Sequence, residues 1–128
     1  MTAPADFPVV IHHNAKCGTS RNTLTIIEEA GYTPTVINYL DTGWTRPQLL
    51  ALFAAAGKTP REMLREKNWD TETLGAFDPS LTDEQILDAM IASPVLVNRP
   101  IVATPLGVRL CRPKETVLEI LRPASDAN

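Results

Sequence analysis

The chain has 128 residues, the usual size of one domain, and folding at that length buries roughly two thirds of the unfolded surface around a single core. Its 44% hydrophobic and 21% charged residues exclude a disordered tail, a collagen-like repeat and a disulfide-dense mini-protein. A net charge of -3 argues against a general nucleic-acid binder, and no apolar run reaches the roughly 20 residues of a membrane helix. The opening Met-Thr-Ala-Pro-Ala-Asp lacks the basic and apolar regions of a signal peptide. The expected address is therefore the cytoplasm, with neither nucleic acid nor membrane as partner and with Cys17 and Cys111 as free thiols.

Residues 1–6 read as a loose arm. Phe7 to Ile11 is a short apolar run suited to a buried strand. After a loop from His12 to Cys17, Thr19 or Ser20 is placed to cap a helix carrying Leu24 and Ile27 on one face, and Gly31 supplies its stop. Pro34 to Tyr39 is β-branched and aromatic, which makes the opening a βαβ unit with parallel strands. The middle, about 45–93, is helical: Thr45 with Gln48, Thr59 with Glu62 and Thr82 with Gln85 each have capping-box spacing, the second with Pro60 at the first helical position. Leu49, Leu50 and Phe53 form the apolar face of the first of these helices, which Gly57 ends; Ile86, Leu87, Met90 and Ile91 form that of the third. Trp44 and Trp69 are expected to pack near helix starts. Val95 to Val97 begins an extended segment that resumes at Ile101 to Ala103, and Pro105-Leu106-Gly107 turns the chain into Val108 to Cys111 as a hairpin. A helix from Pro113 to Leu121, with Val117, Leu118 and Leu121 inward, closes the chain. The order β-α-β, helical insertion, β-β-α predicts an α/β, thioredoxin-like mixed sheet in one domain over residues 1–128. That fold carries its redox cysteine in the loop after the first strand, faced by a cis proline before the third, for which Pro100 is the candidate.

The charges are unevenly spread. Phe7 to Ile27 and Ala89 to Lys114 contain no acidic residue, although the chain holds 15 Asp and Glu. These windows hold Lys16, Arg21, Arg99, Arg109, Arg112 and Lys114 with both cysteines and both histidines. Brought together they would make an anion site; the plainer reading is two core strands, where acids are scarce in any case. Cys17 stands between a strand and a helix start, where free N–H groups favour a thiolate, and His13, Lys16 or Arg21 could add to the effect. Cys17-Gly18-Thr19-Ser20 has C-x-x-C spacing with serine in the last place, so no local dithiol cycle is available. A phosphatase-type C-x5-R loop is disfavoured because Thr23 occupies its arginine position.

Two longer motifs carry a resemblance. His13-Asn14-Ala15-Lys16-Cys17-Gly18-Thr19-Ser20-Arg21-Asn22-Thr23-Leu24 is the first. The second comprises Asn98-Arg99-Pro100-Ile101-Val102 and Thr104-Pro105-Leu106-Gly107-Val108-Arg109-Leu110-Cys111-Arg112-Pro113. Together they resemble the glutaredoxin-coupled arsenate reductases, with similarity from about Val9 to Leu121. Ala15 departs from the family, which often has proline there. The resemblance implies a thioredoxin-like fold with an inserted helical region and reduction of arsenate to arsenite with glutathione and glutaredoxin. It implies Cys17 as the catalytic nucleophile, His13 and Ser20 as thiolate-stabilising positions, and Arg65, Arg99 and Arg112 as oxyanion ligands. Guanidinium forks suit a tetrahedral anion. Without the resemblance, Arg65 reads as a solvated helix residue paired with Glu62 or Glu66. Arg21 and Arg109 are expected to serve structure or local potential. No metal or bound cofactor is expected, glutathione being a co-substrate. Cys111 is expected to be a small structural thiol and His12 a polar strand-end residue. The same fold also includes transcription regulators that bind RNA polymerase and monothiol oxidoreductases, which stand as alternatives.

Overall fold

The computed structural model describes residues 7–65 and 80–121, so the expected arm 1–6, Trp69 and Glu66 lie outside the described residues. The chain divides into two compact units, Met1–Thr42 with Arg99–Asn128, and Gly43–Asn98.

The first unit is built on a four-stranded sheet of order β2-β1-β3-β4, with β1 at Val10–His13, β2 at Thr35–Asn38, β3 at Ile101–Thr104 and β4 at Gly107–Leu110. Strand β1 runs parallel to β2, with Val10 opposite Thr35 and His13 opposite Asn38, and antiparallel to β3, with His12 opposite Ile101. The expected first strand is thus displaced toward its C-terminal end. Phe7 and Val9 are buried but precede the ladder, whereas His12 and His13 belong to it because Ile37 and Asn38 pair with them. Register follows the partner strand's hydrogen bonds rather than the run of apolar residues. Helix α1, Gly18–Glu29, makes the crossover between β1 and β2. It ends at Ala30 with Gly31 in the left-handed region at φ 96°, which glycine adopts without steric cost. A one-turn helix α2, Tyr39–Thr42, follows β2 and takes Tyr39 out of the expected strand.

Strands β3 and β4 form the expected hairpin, with Thr104 opposite Gly107 across Pro105-Leu106. The closing segment is a 3-10 helix over Lys114–Ile120 instead of an α-helix. Three residues per turn align Val117 and Ile120, which are buried, and leave Leu118 54% exposed, which corrects its expected inward position. The core joins Phe7, Val9, Ile11, Ile27, Tyr32, Val102, Cys111, Val117, Ile120 and Leu121, with the Phe7 and Tyr32 rings 5.3 Å apart.

The second unit contains α3, Arg46–Ala56, and α4, Asp83–Ala92, each opened by the expected capping box, at Thr45 with Gln48 and at Thr82 with Gln85. Gly57 caps α3 in the left-handed region at φ 69°. Thr59 and Glu62 exchange the expected reciprocal bonds, but the turn they open is a single 3-10 turn, Arg61–Met63. Leu49 and Phe53 are buried while Leu50 is 47% exposed, because positions 49 and 53 are one turn apart and 50 lies off that line. Pro94–Leu96 is another 3-10 turn where an extended segment was expected, and only Val97 pairs, in a bridge with Leu64. Pro94 cannot donate a ladder bond, which favours the turn. Trp44, beside the α3 cap, is buried and donates its indole N–H to Pro94 O at 3.3 Å. No helix among the described residues is long and apolar enough to cross a membrane.

Candidate active site

Sheet pairing decides what meets at one end of the first unit. Because β3 runs antiparallel to β1, with His12 opposite Ile101, the residues before β3 lie beside those that follow β1. Because β4 returns antiparallel to β3, with Leu110 opposite Ile101, the residues after β4 arrive at the same end. Cys111 N–H there donates to Pro100 O at 2.9 Å, and Arg112 Nη1 donates to Arg99 O at 3.1 Å. The Arg99-Pro100 bond is cis, as the fold argument anticipated, and so is Arg112-Pro113. Segments of the two acid-free windows thus meet at this end, and both windows also supply strands of the sheet.

Cys17 is itself the N-cap of α1, two or three residues earlier than a cap at Thr19 or Ser20 would place it. Its N–H donates to Asn14 O and its carbonyl accepts from Arg21 N–H, both at 3.0 Å. The Ser20 hydroxyl is unavailable as a cap: it is fully buried, lies 2.6 Å from His13 Nδ1, and accepts the Asn14 N–H at 3.1 Å. Burial and the nearby Arg21 charge lower the His13 pKa below its ordinary value. A neutral His13 can accept from Ser20 through Nδ1 while the same oxygen receives the Asn14 N–H.

The half-buried Cys17 sulfur is acted on from several sides. Burial pushes its pKa up, but the Ser20 N–H, the Arg99 guanidinium and the Thr19 N–H together hold it below the ordinary thiol value. Arg112 Nη1 stands 3.8 Å from the sulfur, and Arg99 is 3% exposed. Arg99 is a side-chain cation that favours the thiolate, whereas Lys16 and Arg21 are the candidates near in sequence. Lys16 is exposed, and Arg21 donates to Ala15 O at 2.8 Å.

Asn14 and Tyr39 organise the same loop and were not singled out from the sequence. Asn14 is 3% exposed; its Oδ1 accepts Lys16 N–H at 2.9 Å and its Nδ2 donates to the Tyr39 hydroxyl at 3.3 Å. Burial raises the Tyr39 pKa, so the phenol stays protonated near neutrality. Parallel pairing of His13 with Asn38 puts the residues just after the two strands, Asn14 and Tyr39, side by side, a register set by the sheet that no local motif signals.

Arg65 belongs to the second unit, where its N–H donates to Leu96 O at 2.8 Å. Arg109 lies beside Glu119, with Nε 3.4 Å from its carboxylate. Cys111 is fully buried, and burial together with the Glu119 charge pushes its pKa up to about 12, partly opposed by Arg109. His12 is 5% exposed and its pKa is lowered to about 4 by burial, so it is a neutral core residue and not a polar strand end.

A sheet of order β2-β1-β3-β4, with a cysteine at the helix start after β1 and an Arg-Pro pair entering β3, is the arrangement of a thioredoxin-like thiol oxidoreductase. The ArsC family model matches residues 12–120, and the chain belongs to that family. An arsenate reductase of Synechocystis is 59% identical over 113 residues, covering 88% of this chain and 81% of the relative. An arsenate reductase of Escherichia coli K12 is 50% identical over 116 residues, covering 91% and 82%. Among solved structures, an arsenate reductase from Vibrio cholerae superposes with a TM-score of 0.83 at 40% identity, covering 90% of this chain and 98% of that one.

Proposed function

We propose that this chain is an arsenate reductase working in the cytoplasm, with Cys17 as its nucleophile. The observation that carries this reading is one half-buried sulfur with a lowered pKa, faced by Arg99 and by Arg112 at 3.8 Å. Arg99 and Arg112 hold the tetrahedral anion through paired charge-assisted bonds. The family resemblance also implies Arg65 as an oxyanion ligand. The Cys17 thiolate attacks arsenic(V) and displaces one oxygen as water, forming a sulfur–arsenic bond. Glutathione thiolate then attacks the Cys17 sulfur. A disulfide forms, the sulfur–arsenic bond breaks, and its electron pair stays on arsenic, which leaves as arsenite. Two thiols have given up the two electrons that arsenic gains. Glutaredoxin removes the glutathionyl group from Cys17 by thiol exchange, which restores the thiolate without a second local cysteine.

His13 and Ser20 serve by holding the loop that aims the Ser20 N–H at the sulfur. Cys111, buried and with its pKa near 12, takes no part. The chain is read as one thioredoxin-like domain interrupted by its helical insertion, and the bounds of the Gly43–Asn98 unit support that division. The two free cysteines fit a reducing compartment. The test is arsenate-dependent NADPH consumption coupled through glutathione reductase, with glutaredoxin present. Turnover that disappears in Cys17→Ser is expected. Absence of turnover in the native protein, or RNA polymerase recovered with it in near equal amount, would overturn the reading.

A further inference from the structure

A cavity of about 350 Å³ opens between the first turn of α1 and the segment after β4, lined by Thr19, Asn22, Arg112, Pro113, Lys114 and Glu115. Its volume lies in the range of small-molecule sites, roughly 300–1,000 Å³. It is tied to the sulfur through shared residues. Arg112 lines the cavity and reaches to 3.8 Å from Cys17 Sγ, and Thr19 is one of the two residues whose N–H groups act on that sulfur.

The charges along its wall differ from those around the sulfur. Lys114 Nζ pairs with Glu115 Oε2 at 3.0 Å, and both side chains are largely exposed, at 42% and 58%. An exposed pair between sequence neighbours is weak and open to exchange. A simple oxyanion would meet the Glu115 carboxylate here, so the cavity does not suit a second arsenate. An amino-acid zwitterion matches it: its carboxylate takes Lys114, its ammonium takes Glu115, and Asn22 and Thr19 supply neutral hydrogen-bonding groups.

We propose that this cavity seats the zwitterionic γ-glutamyl end of glutathione, so that its sulfur is delivered to Cys17 past Arg112. This assignment rests on the reading of glutathione as co-substrate and adds the residues that would select it over other thiols. Lys114 and Glu115 then act as specificity-determining residues that leave the reacting sulfur untouched.

The test uses thiol–disulfide exchange in the absence of arsenate. The Cys17 thiolate attacks one sulfur of glutathione disulfide, a Cys17–glutathione disulfide forms, the original S–S bond breaks, and glutathione leaves as its thiolate. Rates for reduced protein are measured by mass spectrometry of Cys17 with glutathione disulfide and with the uncharged 2-hydroxyethyl disulfide. Lys114→Ala and Glu115→Ala are each expected to slow exchange with glutathione disulfide at least fivefold and to change the uncharged reagent less than twofold. The disulfide of 3-mercaptopropionate, which has a carboxylate and no ammonium, should respond to Lys114→Ala but not be slowed by Glu115→Ala. Equal slowing of all three reagents, or slowing of none, would overturn the assignment. Because no arsenate is present, the selectivity can stand if arsenate turnover fails, and it can fail if arsenate turnover stands.

Discussion

Replacing Ser20 by alanine tests whether one hydroxyl sets the geometry of the cysteine loop. The Ser20 side chain is fully buried, and its oxygen meets His13 Nδ1 at 2.6 Å and the Asn14 N–H at 3.1 Å. His13 and Asn14 are themselves 6% and 3% exposed, so Ser20→Ala deprives two buried polar groups of this partner. At about 1–3 kcal/mol for each buried group left unsatisfied, the expected loss is roughly 2–6 kcal/mol. For a domain of this size about 1 kcal/mol corresponds to ~4 °C, so Tm should fall by roughly 8–24 °C. Thr25→Ala on the exposed side of α1, where the hydroxyl donates to Arg21 O at 3.1 Å, should stay within about 0.5 kcal/mol and serves as control. Adding His13→Leu to Ser20→Ala should cost less than the sum of the two single changes, because both remove the same bond. A second measurement follows the thiol. Alkylation of Cys17 by iodoacetamide against pH should show its midpoint displaced upward in Ser20→Ala, since the loop that aims the residue-20 N–H is loosened. A stability change below about 0.5 kcal/mol together with an unmoved alkylation midpoint would refute the argument.

Three further outcomes are expected. In the native protein iodoacetamide should modify Cys17 and spare Cys111, whose pKa is pushed up to about 12; Arg99→Ala should raise the Cys17 midpoint, and peptide mapping that finds Cys111 modified first would refute this. His12 is neutral in the folded chain with its pKa lowered from 6.5 to about 4, so the stability due to that neutral form is present above pH 6.5 and lost as pH falls toward 4. The loss should reach up to about 3 kcal/mol in urea titrations, and His12→Gln should flatten it; an equal slope in the variant would contradict the assignment. Thr82→Ala removes the side-chain half of the α4 capping box, where Thr82 Oγ1 accepts Gln85 N–H at 3.2 Å, and should cost about 1 kcal/mol by denaturant midpoint, with no loss measured counting against the cap.

The elements that could be read from the sequence were those whose signals are local. A Thr with Gln three residues on specifies its own reciprocal bonds, and the helices at Thr45 and Thr82 begin where that chemistry says. A glycine after the last helical residue marks the end of α3 and α1 because only the local φ matters. Other features depend on partners remote in sequence. Whether Leu118 turns inward depends on three residues per turn in place of 3.6, and no residue between Lys114 and Ile120 announces that choice. The limits of β1 depend on which residues of β2 accept and donate. Hence buried Phe7 and Val9 fall outside the ladder and two histidines fall inside it.

The candidate site shows the same division more sharply. Cys17 at a strand-to-helix loop and Ser20 three residues on are local facts, visible in the sequence. The approach of Arg99 to the sulfur is not local, because it requires β3 to run antiparallel to β1. A parallel β3 in the same place would put the residues preceding it at the Val10 end of β1. Four residues at roughly 3.3 Å each would then carry Arg99 about 13 Å from the His13 end. At that distance its guanidinium could not bond to Cys17, and the charge would be screened over more than a Debye length, about 8 Å at physiological salt. The hairpin then fixes Arg112 by the same logic: a two-residue connection returns β4 to the end where β3 began, leaving Arg112 beside Arg99 O. Family resemblance could name these arginines, but residue types and spacing alone could not place them. What brings them together is the sense of two strand pairings, a property of the sheet as a whole that no single motif encodes.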